Sequence, residues 1–299
     1  MKSLFYLPFW FFKTRFFGKK IPLQSVIFIS DLCNLKCKHC CVYAQETVNK
    51  KNYEQIREEL EYCYQLGSRF IDFEGGEPTL WKDGSYDLNS LIRLAKEIGF
   101  FSTTVTTNAF RPFGDVEADS FWVSLDGLGN YHDSIRGEGV FEQLVKNIEA
   151  SNHKDLSVNM AINTLNYDSV DETIEFAKNN PHIKSISLNL HTPYPGTEYL
   201  ALDTEKRIKV LDKIIAYKKK GYPIMNSVSG LKLMKHSKFK KQCWVSNFIL
   251  SDGTRLPECA GKTAGVCDSC GLAMSGEMNS VFNLKLDTIF AGMKLRMLG

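Results

Sequence analysis

Seven of the nine cysteines in this 299-residue chain fall into two groups whose spacing suits metal ligation. Cys33, Cys37 and Cys40 form C-x3-C-x2-C inside the segment Asp31-Leu32-Cys33-Asn34-Leu35-Lys36-Cys37-Lys38-His39-Cys40. Thiolates hold iron–sulfur clusters, and a [4Fe–4S] cube normally takes one ligand per iron. Three ligands from one tight loop leave one iron open, and an open position is what a catalytic metal site has and a structural one lacks. On spacing alone the same loop also suits a zinc site with a remote fourth ligand, or a turn with buried thiols. Cys243, Cys259, Cys267 and Cys270 form the later group, with intervals of x15, x7 and x2. Four cysteines complete either a closed tetrahedral zinc site or a fully ligated [4Fe–4S] cluster. The remaining two, Cys41 and Cys63, read as packing thiols, and Cys63 falls on an apolar helix stripe.

Composition sets the frame for these groups. Apolar residues make up 43% and charged residues 24%, which is globular and excludes a disordered or collagen-like chain. A formal charge of +3 argues against a dedicated nucleic-acid binder. No apolar run approaches a membrane span. The apolar start, Leu4 to Phe12, is interrupted by Pro8 and lacks a small-residue cleavage site, so a cytoplasmic, reduced protein with free thiols is expected.

Six short β-branched and apolar runs must position the chemistry: 25–30, 69–74, 101–106, 121–125, 156–162 and 184–190. They read as strands buried on both faces. Helical stripes separate most of them. Tyr53, Ile56, Leu60, Cys63 and Tyr64 form one, closed by Gly67; Leu91, Ile92 and Ala95 form a second, ended by Gly99. Val170, Ile174 and Ala177 form a third, with Ser169 and Glu172 spaced as a capping box. A fourth runs from about Thr204 to Lys220, with Ile208, Leu211 and Ile215 inward and Gly221-Tyr222-Pro223 as the stop. Alternating strand and helix means a parallel sheet with right-handed crossovers, and six units are too few for an eight-stranded barrel. The expected fold is α/β, a partial (β/α)6 barrel over residues 22–228. It is preceded by an aromatic and basic segment at 1–21 and followed by a small cysteine-bearing module at 229–299. In such folds ligands gather at the carboxyl ends of strands.

The cysteine loop follows the first strand, and further motifs follow the next ones. They are Gly75-Gly76-Glu77-Pro78, Thr107-Asn108, Val123-Ser124-Leu125-Asp126-Gly127, then His132-Asp133 and Arg136-Gly137. Together with the aromatic ring of His39 before the last cysteine, this ordered set over residues 22–195 resembles the radical S-adenosylmethionine (radical SAM) superfamily. The resemblance implies a [4Fe–4S] cluster on Cys33, Cys37 and Cys40 and S-adenosylmethionine as the second cofactor. By the same resemblance Gly75, Gly76, Glu77 and Pro78 face the cofactor's amino group. Asn108 belongs to the same cofactor-facing set. Ser124 and Arg136 are assigned to its carboxylate and ribose side, the guanidinium suiting a carboxylate bidentately. Asp126 either binds ribose or caps a turn. The late cysteines resemble the auxiliary-cluster modules of the family, nearer the short Twitch type than the seven-cysteine SPASM type.

The implied function is reductive cleavage of S-adenosylmethionine to a 5′-deoxyadenosyl radical, which abstracts hydrogen from a substrate. A flavodoxin or ferredoxin-type electron donor is implied as partner. Two substrate classes remain open. A ribosomally made peptide fits the cysteine module, and an isoprenoid lipid fits a short likeness over Cys267 to Val281 and the N-terminus. Residues 1–20 hold eight aromatic side chains with Lys13, Arg15, Lys19 and Lys20 among or after them. They read either as peripheral membrane contact or as a helix over the barrel's bottom. The five lysines from Lys232 to Lys241 read as a solvated face with some surface attraction. Asn189, His191 and Tyr194 follow the sixth strand and either line the substrate pocket or satisfy loop backbone. The reading from another class is a non-catalytic iron–sulfur redox or iron sensor on the same barrel. A zinc-stapled binding module is the third.

Overall fold

The structure, a computed structural model, describes residues 2–40, 48–153 and 156–297, with side chains described from Phe5 to Met293. Cys41, read above as a packing thiol, lies outside the described residues. In chain order the elements are α1 (Lys2–Phe16), β1 (Gln24–Phe28), α2 (Tyr53–Leu66), β2 (Phe70–Glu74), a small hairpin of β3 (Lys82–Asp83) and β4 (Tyr86–Asp87), α3 (Leu88–Ile98), β5 (Ser102–Thr107) and β6 (Ser120–Ser124). Then come α4 (Asn130–Arg136), α5 (Val140–Ala150), β7 (Leu156–Ile162), α6 (Val170–Asn179), β8 (Ile183–Leu190), α7 (Thr204–Lys219) and α8 (Val228–Met234). The chain ends with β9 (Ser246–Ile249), β10 (Arg255–Leu256), α9 (Ala260–Thr263), α10 (Ala273–Phe282) and α11 (Leu286–Met297).

The six expected strands are all present and form one parallel sheet in the order β1-β2-β5-β6-β7-β8, open rather than closed, as a partial barrel requires. Residues 229–299 add to that same sheet: β9 pairs parallel with β1, and β10 runs antiparallel beside β9. Two helices close as their sequences suggest. Gly67 and Gly99 take φ of 109° and 113° and donate their N–H groups to the last helical carbonyls, a left-handed end that glycine adopts without steric cost. The N-caps differ from expectation at one place. Ser169 precedes α6 but its backbone is not extended, and its hydroxyl accepts from Leu128 N–H instead of capping the helix. The capping boxes are at Asn52/Gln55 and Asp87/Ser90.

The two faces of the sheet are not alike, which corrects the reading of strands buried apolar on both sides. One face carries Ile71, Phe73, Val105, Phe121, Val123, Val158, Met160, Ile162 and Leu188, all buried against the helices. The other face, which lines the barrel's hollow, carries Asp72, Glu74, Thr104, Thr106, Ser120, Ser157, Asn159, Ser185, Ser187 and Asn189, with the apolar Val26, Phe28, Trp122 and Phe248 among them. Threonine and serine satisfy strand geometry without being greasy, so β5 (STTVTT) reads as a strand while one of its faces is polar. Burying the outer row removes large apolar side chains from water, each contributing roughly 1.5–3 kcal/mol. Cys63 belongs to that core, fully buried on α2.

Helix α1 covers the amino-terminal end of the sheet. Trp10 packs with Leu23, Phe70, Val245 and Phe282. Its indole N–H donates to Ile21 O at 2.8 Å, and the Tyr6 hydroxyl donates to Gly67 O. Among the described residues no helix is long and apolar enough to cross a membrane.

Candidate active site

The cysteine loop leaves the carboxyl end of β1 and is held there by the segment that leaves β2. Gly76 N–H donates to Ser30 O at 2.7 Å and Glu77 N–H to Leu32 O at 2.8 Å. A Cβ on Gly75 would lie 2.2 Å from Ser30 O, and one on Gly76 would lie 2.2 Å from Leu32 O. Gly75 also takes φ of 142°, so both positions demand glycine for a backbone-on-backbone crossing. Pro78 is buried and opens a single turn after the crossing. Above it Cys33, Cys37 and Cys40 are half-buried thiols that form no disulfide. Leu35 N–H donates to Cys33 Sγ at 3.4 Å, Cys40 N–H bonds Cys37 O at 3.1 Å, and Lys38 N–H reaches Ile135 O on α4 at 3.0 Å. Burial pushes the Cys37 thiol up to about 11, with the Arg136 guanidinium pulling the other way, and burial raises Cys33 as well.

Glu77 ties three motifs together. Its Oε1 accepts from Thr79 N–H at 3.2 Å, Thr79 Oγ1 at 2.7 Å and Thr107 Oγ1 at 2.8 Å. Its Oε2 accepts from Asn108 N–H at 2.8 Å. Burial raises its pKa while these four donors lower it. Asn108 carries the link onward, its Nδ2 donating to Asn34 Oδ1 at 2.9 Å and lying 3.7 Å from Cys33 Sγ. The carboxylate of the Gly-Gly-Glu-Pro motif is thus turned to the protein, and its main chain is what remains for a ligand.

Asp126, at the end of β6, is fully buried and gathers the other side of the site. Its Oδ2 accepts from Arg136 Nε at 2.7 Å and lies 3.6 Å from His39 Nε2, while Oδ1 accepts from Ala161 N–H at 2.8 Å. Burial works against its charge, but the Arg136 guanidinium holds the carboxyl down at about 2. Arg136 Nη1 reaches Cys37 Sγ at 3.8 Å, so one ion pair aims a cation at the cysteine loop. His39 is kept neutral by burial, its pKa down to about 4, and packs edge-on to His191 at 6.5 Å. His191 itself bonds Thr197 at 3.0 Å. His132 Nδ1 accepts from Asp126 N–H at 3.0 Å, and Asp133 accepts from Gly139 and Phe141 N–H at the start of α5. Both positions therefore hold backbone. Ser124 sits half-buried at the carboxyl end of β6, opposite Asn159 of β7.

The late cysteines reach the same end of the sheet by a route no strand motif announces. A Cβ on Gly271 would lie 1.9 Å from Leu190 O, and Leu190 N–H donates to Gly271 O at 2.9 Å. This clamps the residue after Cys270 to the carboxyl end of β8. Burial first, and then Cys259, Cys270 and Cys267, push the Cys243 thiol up to about 12, so those three thiols lie close enough to Cys243 to act on it. Cys259 Sγ accepts from Gly261 N–H at 3.2 Å, and the Tyr194 hydroxyl also bonds it. Tyr194 thus meets the late cysteines. Asn189 bridges Asn159 Oδ1 at 2.6 Å and Ala273 N–H at 2.8 Å. Among the described residues no three His, Cys, Asp or Glu side chains converge on a single-ion position.

The polar barrel hollow escaped the reading of the sequence. Thr106 Oγ1 lies 3.2 Å from Asp72 Oδ1 and 3.3 Å from Glu74 Oε1, below the cysteine loop. Burial raises the Glu74 pKa. The signal was there as apolar and charged alternation in Ile71-Asp72-Phe73-Glu74 and as the run of hydroxyl side chains in β5.

The early donors fit a cluster with an open iron: three thiols from one loop, a guanidinium beside one of them, and a buried His39 Nδ1 that has no hydrogen-bond partner among the described residues. Residues 27–177 match the family model of the radical SAM superfamily. The chain is similar to a GTP 3′,8-cyclase of Mannheimia succiniciproducens, 30% identical over 168 residues, covering 51% of this chain and 49% of that protein. It is also similar to an Fe-coproporphyrin III synthase of Methanosarcina barkeri, 29% identical over 173 residues, covering 51% and 42%. This chain therefore spans about half the length of these curated relatives. Its fold is similar to Streptococcus suis SuiB bound to S-adenosylmethionine, with TM-score 0.64 and 18% identity, covering 93% of this chain and 68% of that one. It is similar as well to anSMEcpe with bound AdoMet and the Cp18Cys peptide, with TM-score 0.60 and 18% identity, covering 92% and 83%. With its family match spanning half the chain and its three-thiol loop at the mouth of an open parallel barrel, this protein belongs to the radical SAM superfamily, whose members use a [4Fe–4S] cluster and S-adenosylmethionine.

Proposed function

We propose that this protein is an enzyme that cleaves S-adenosylmethionine reductively and acts on a polar, peptide-like substrate. The observation that carries the reading is the crossing of Gly75–Glu77 beneath Cys33, Cys37 and Cys40, with Arg136 aimed at the same loop. When bound, the cluster and cofactor supply one-electron cleavage of a C–S bond and a 5′-deoxyadenosyl radical that takes hydrogen from a C–H bond. The chain's own part is positional. The main chain at Gly75, Gly76 and Glu77 receives the cofactor's amino group, with Pro78 fixing the turn, and Arg136 meets its carboxylate through the donors not used by Asp126. Ser124 faces the ribose side. Glu77, Asn108 and Asp126 hold these groups in place.

The hollow favours a peptide over an isoprenoid. Polar side chains outnumber the apolar Val26, Phe28, Trp122 and Phe248 on that face, and a hydrocarbon laid against Asp72, Glu74, Thr106, Asn159, Ser187 and Asn189 would strip polar groups of water without replacing their hydrogen bonds. SuiB and anSMEcpe, similar in fold, were captured with the peptides SuiA and Cp18Cys. Cys243, Cys259, Cys267 and Cys270 hold a second cluster. Cys259, Cys270 and Cys267 all act on the Cys243 thiol, and four cysteines supply one ligand per iron of a [4Fe–4S] cluster. A small electron donor of the flavodoxin or ferredoxin type completes the system.

The test is oxygen-free reconstitution, iron and sulfide counting, and measurement of 5′-deoxyadenosine with dithionite. About eight irons per chain and 5′-deoxyadenosine stimulated by a peptide fraction are expected, with C243A/C267A falling to about four irons. Stimulation by a lipid extract alone would overturn the peptide assignment. A fully loaded, reduced protein that forms no 5′-deoxyadenosine with any fraction would make it a sensor.

A further inference from the structure

Helix α1 has two faces with different work. Tyr6, Trp10, Phe11 and Thr14 turn inward onto the amino-terminal end of the sheet. Phe5, Phe9, Phe12 and Phe16 recur at helical spacing on the other side, and with Phe17 they are 75%, 60%, 53%, 63% and 67% exposed. These rings are one patch: Phe12 lies 5.0 Å from Phe16 and 5.7 Å from Phe17 between centroids. Helix α11 packs against α1 and exposes Leu286, Phe290 and Met293, again at helical spacing. Five exposed phenylalanines in the thirteen residues from Phe5 to Phe17 are far beyond the single exposed apolar side chains that a water-facing surface carries.

Cations frame the patch. The Lys13 ammonium sits 5.6 Å from the Phe9 ring and the Arg15 guanidinium 5.7 Å from the Phe16 ring, with exposed Lys19 and Lys20 just beyond. No acidic residue occurs before Asp31. That charge pattern chooses the occupant. A second copy of the chain meeting the same patch would bring these cations together, whereas an anionic bilayer surface pairs with them and takes the rings at headgroup depth.

We propose that the α1 face is a docking surface for an anionic lipid bilayer. The face lies at the amino-terminal end of β1, β2, β5 and β9, where α1 packs on Leu23, Phe70, Phe101 and Val245. The cysteine loop and Asp126 lie at the carboxyl ends of the same sheet, about 16 Å away for five-residue strands. Docking therefore turns the reaction site toward the aqueous side, and the membrane serves as an anchor and not as the substrate's entrance. This inference does not rest on the proposed chemistry, since it concerns the opposite end of the molecule.

The experiment is co-sedimentation of the full reconstituted chain with vesicles of phosphatidylcholine alone or an equal mixture with phosphatidylglycerol. The mixed vesicles are expected to carry the protein down, less so at high salt. K13E/K19E/K20E is expected to weaken binding at least about a hundredfold, at about fivefold per cation near an anionic surface. F9S/F12S/F16S is expected to abolish binding while iron content and thermal melting stay as in the parent. A parent protein that stays in solution with mixed vesicles would overturn the proposal. So would light scattering that shows a dimer, dissolved by F9S/F12S/F16S, without vesicle binding.

Discussion

Replacing Glu77 by glutamine separates two roles that the Gly-Gly-Glu-Pro motif allows for its carboxylate. In the structure that carboxylate takes four donors, two from Thr79 and one each from Thr107 and Asn108. A glutamine keeps one oxygen. If that oxygen stays with the threonines, its amide N–H group faces the Asn108 N–H, and a buried donor loses its acceptor at about 1–3 kcal/mol. The remaining bonds also lose charge assistance, from about 1.5–3 to about 0.5–1.5 kcal/mol each. Against this stands the relief of not burying a carboxylate, the effect that raises the Glu77 pKa. The net cost is about 2–4 kcal/mol, which lowers melting by roughly 3–6 °C at this chain length. The assay is thermal melting of the protein before cluster loading, then iron retention, then the S-adenosylmethionine concentration dependence. Loss of stability first, loss of iron second, and a non-additive cycle with Thr107→Val are expected. A variant that melts as the parent does but needs far more S-adenosylmethionine would refute the reasoning, because the carboxylate would then be a ligand to the cofactor and not a strut.

Two further perturbations follow from the same geometry. Asp126→Asn leaves the buried Arg136 guanidinium without its counter-charge, at a cost of about 3–5 kcal/mol; denaturant unfolding checks this, and a loss under about 1 kcal/mol would show that Arg136 finds another partner. Glu277, which accepts from Ser227 N–H at 2.9 Å, has its carboxyl pushed by burial from 4.5 up to about 7. A raised carboxyl pKa destabilises the fold above the folded value and not below the unfolded one. Glu277→Gln is therefore expected to stabilise by up to about 3 kcal/mol at pH 8. That advantage should shrink as pH falls through 7 toward 4.5, and melting curves with an equal gap at pH 8 and pH 5 would count against the buried charge.

Local spacing determined much of this protein. Cys33, Cys37 and Cys40 lie within eight residues, so covalent connection alone brings them to one loop, and the strand before them sends that loop to the carboxyl end of the sheet. The six parallel strands and the glycine stops at 67 and 99 follow from periodicities of a few residues, which the backbone expresses without distant help. Ser169 shows the limit of such reading: the right residue types were in place, but a preceding turn aimed the hydroxyl at Leu128 instead. The polar hollow was legible as alternation and was missed because threonine shares β-branching with valine, so strand propensity and burial point different ways at the same residue. What only the tertiary structure decided are pairings across long stretches of chain. Glu77 meets Thr107 and Asn108, Asp126 meets Arg136 and His39, and Gly271 clamps the late cysteines to β8. Each depends on which strand ends lie side by side, and that register is set by the buried apolar face of the whole sheet, a cooperative property no single segment carries.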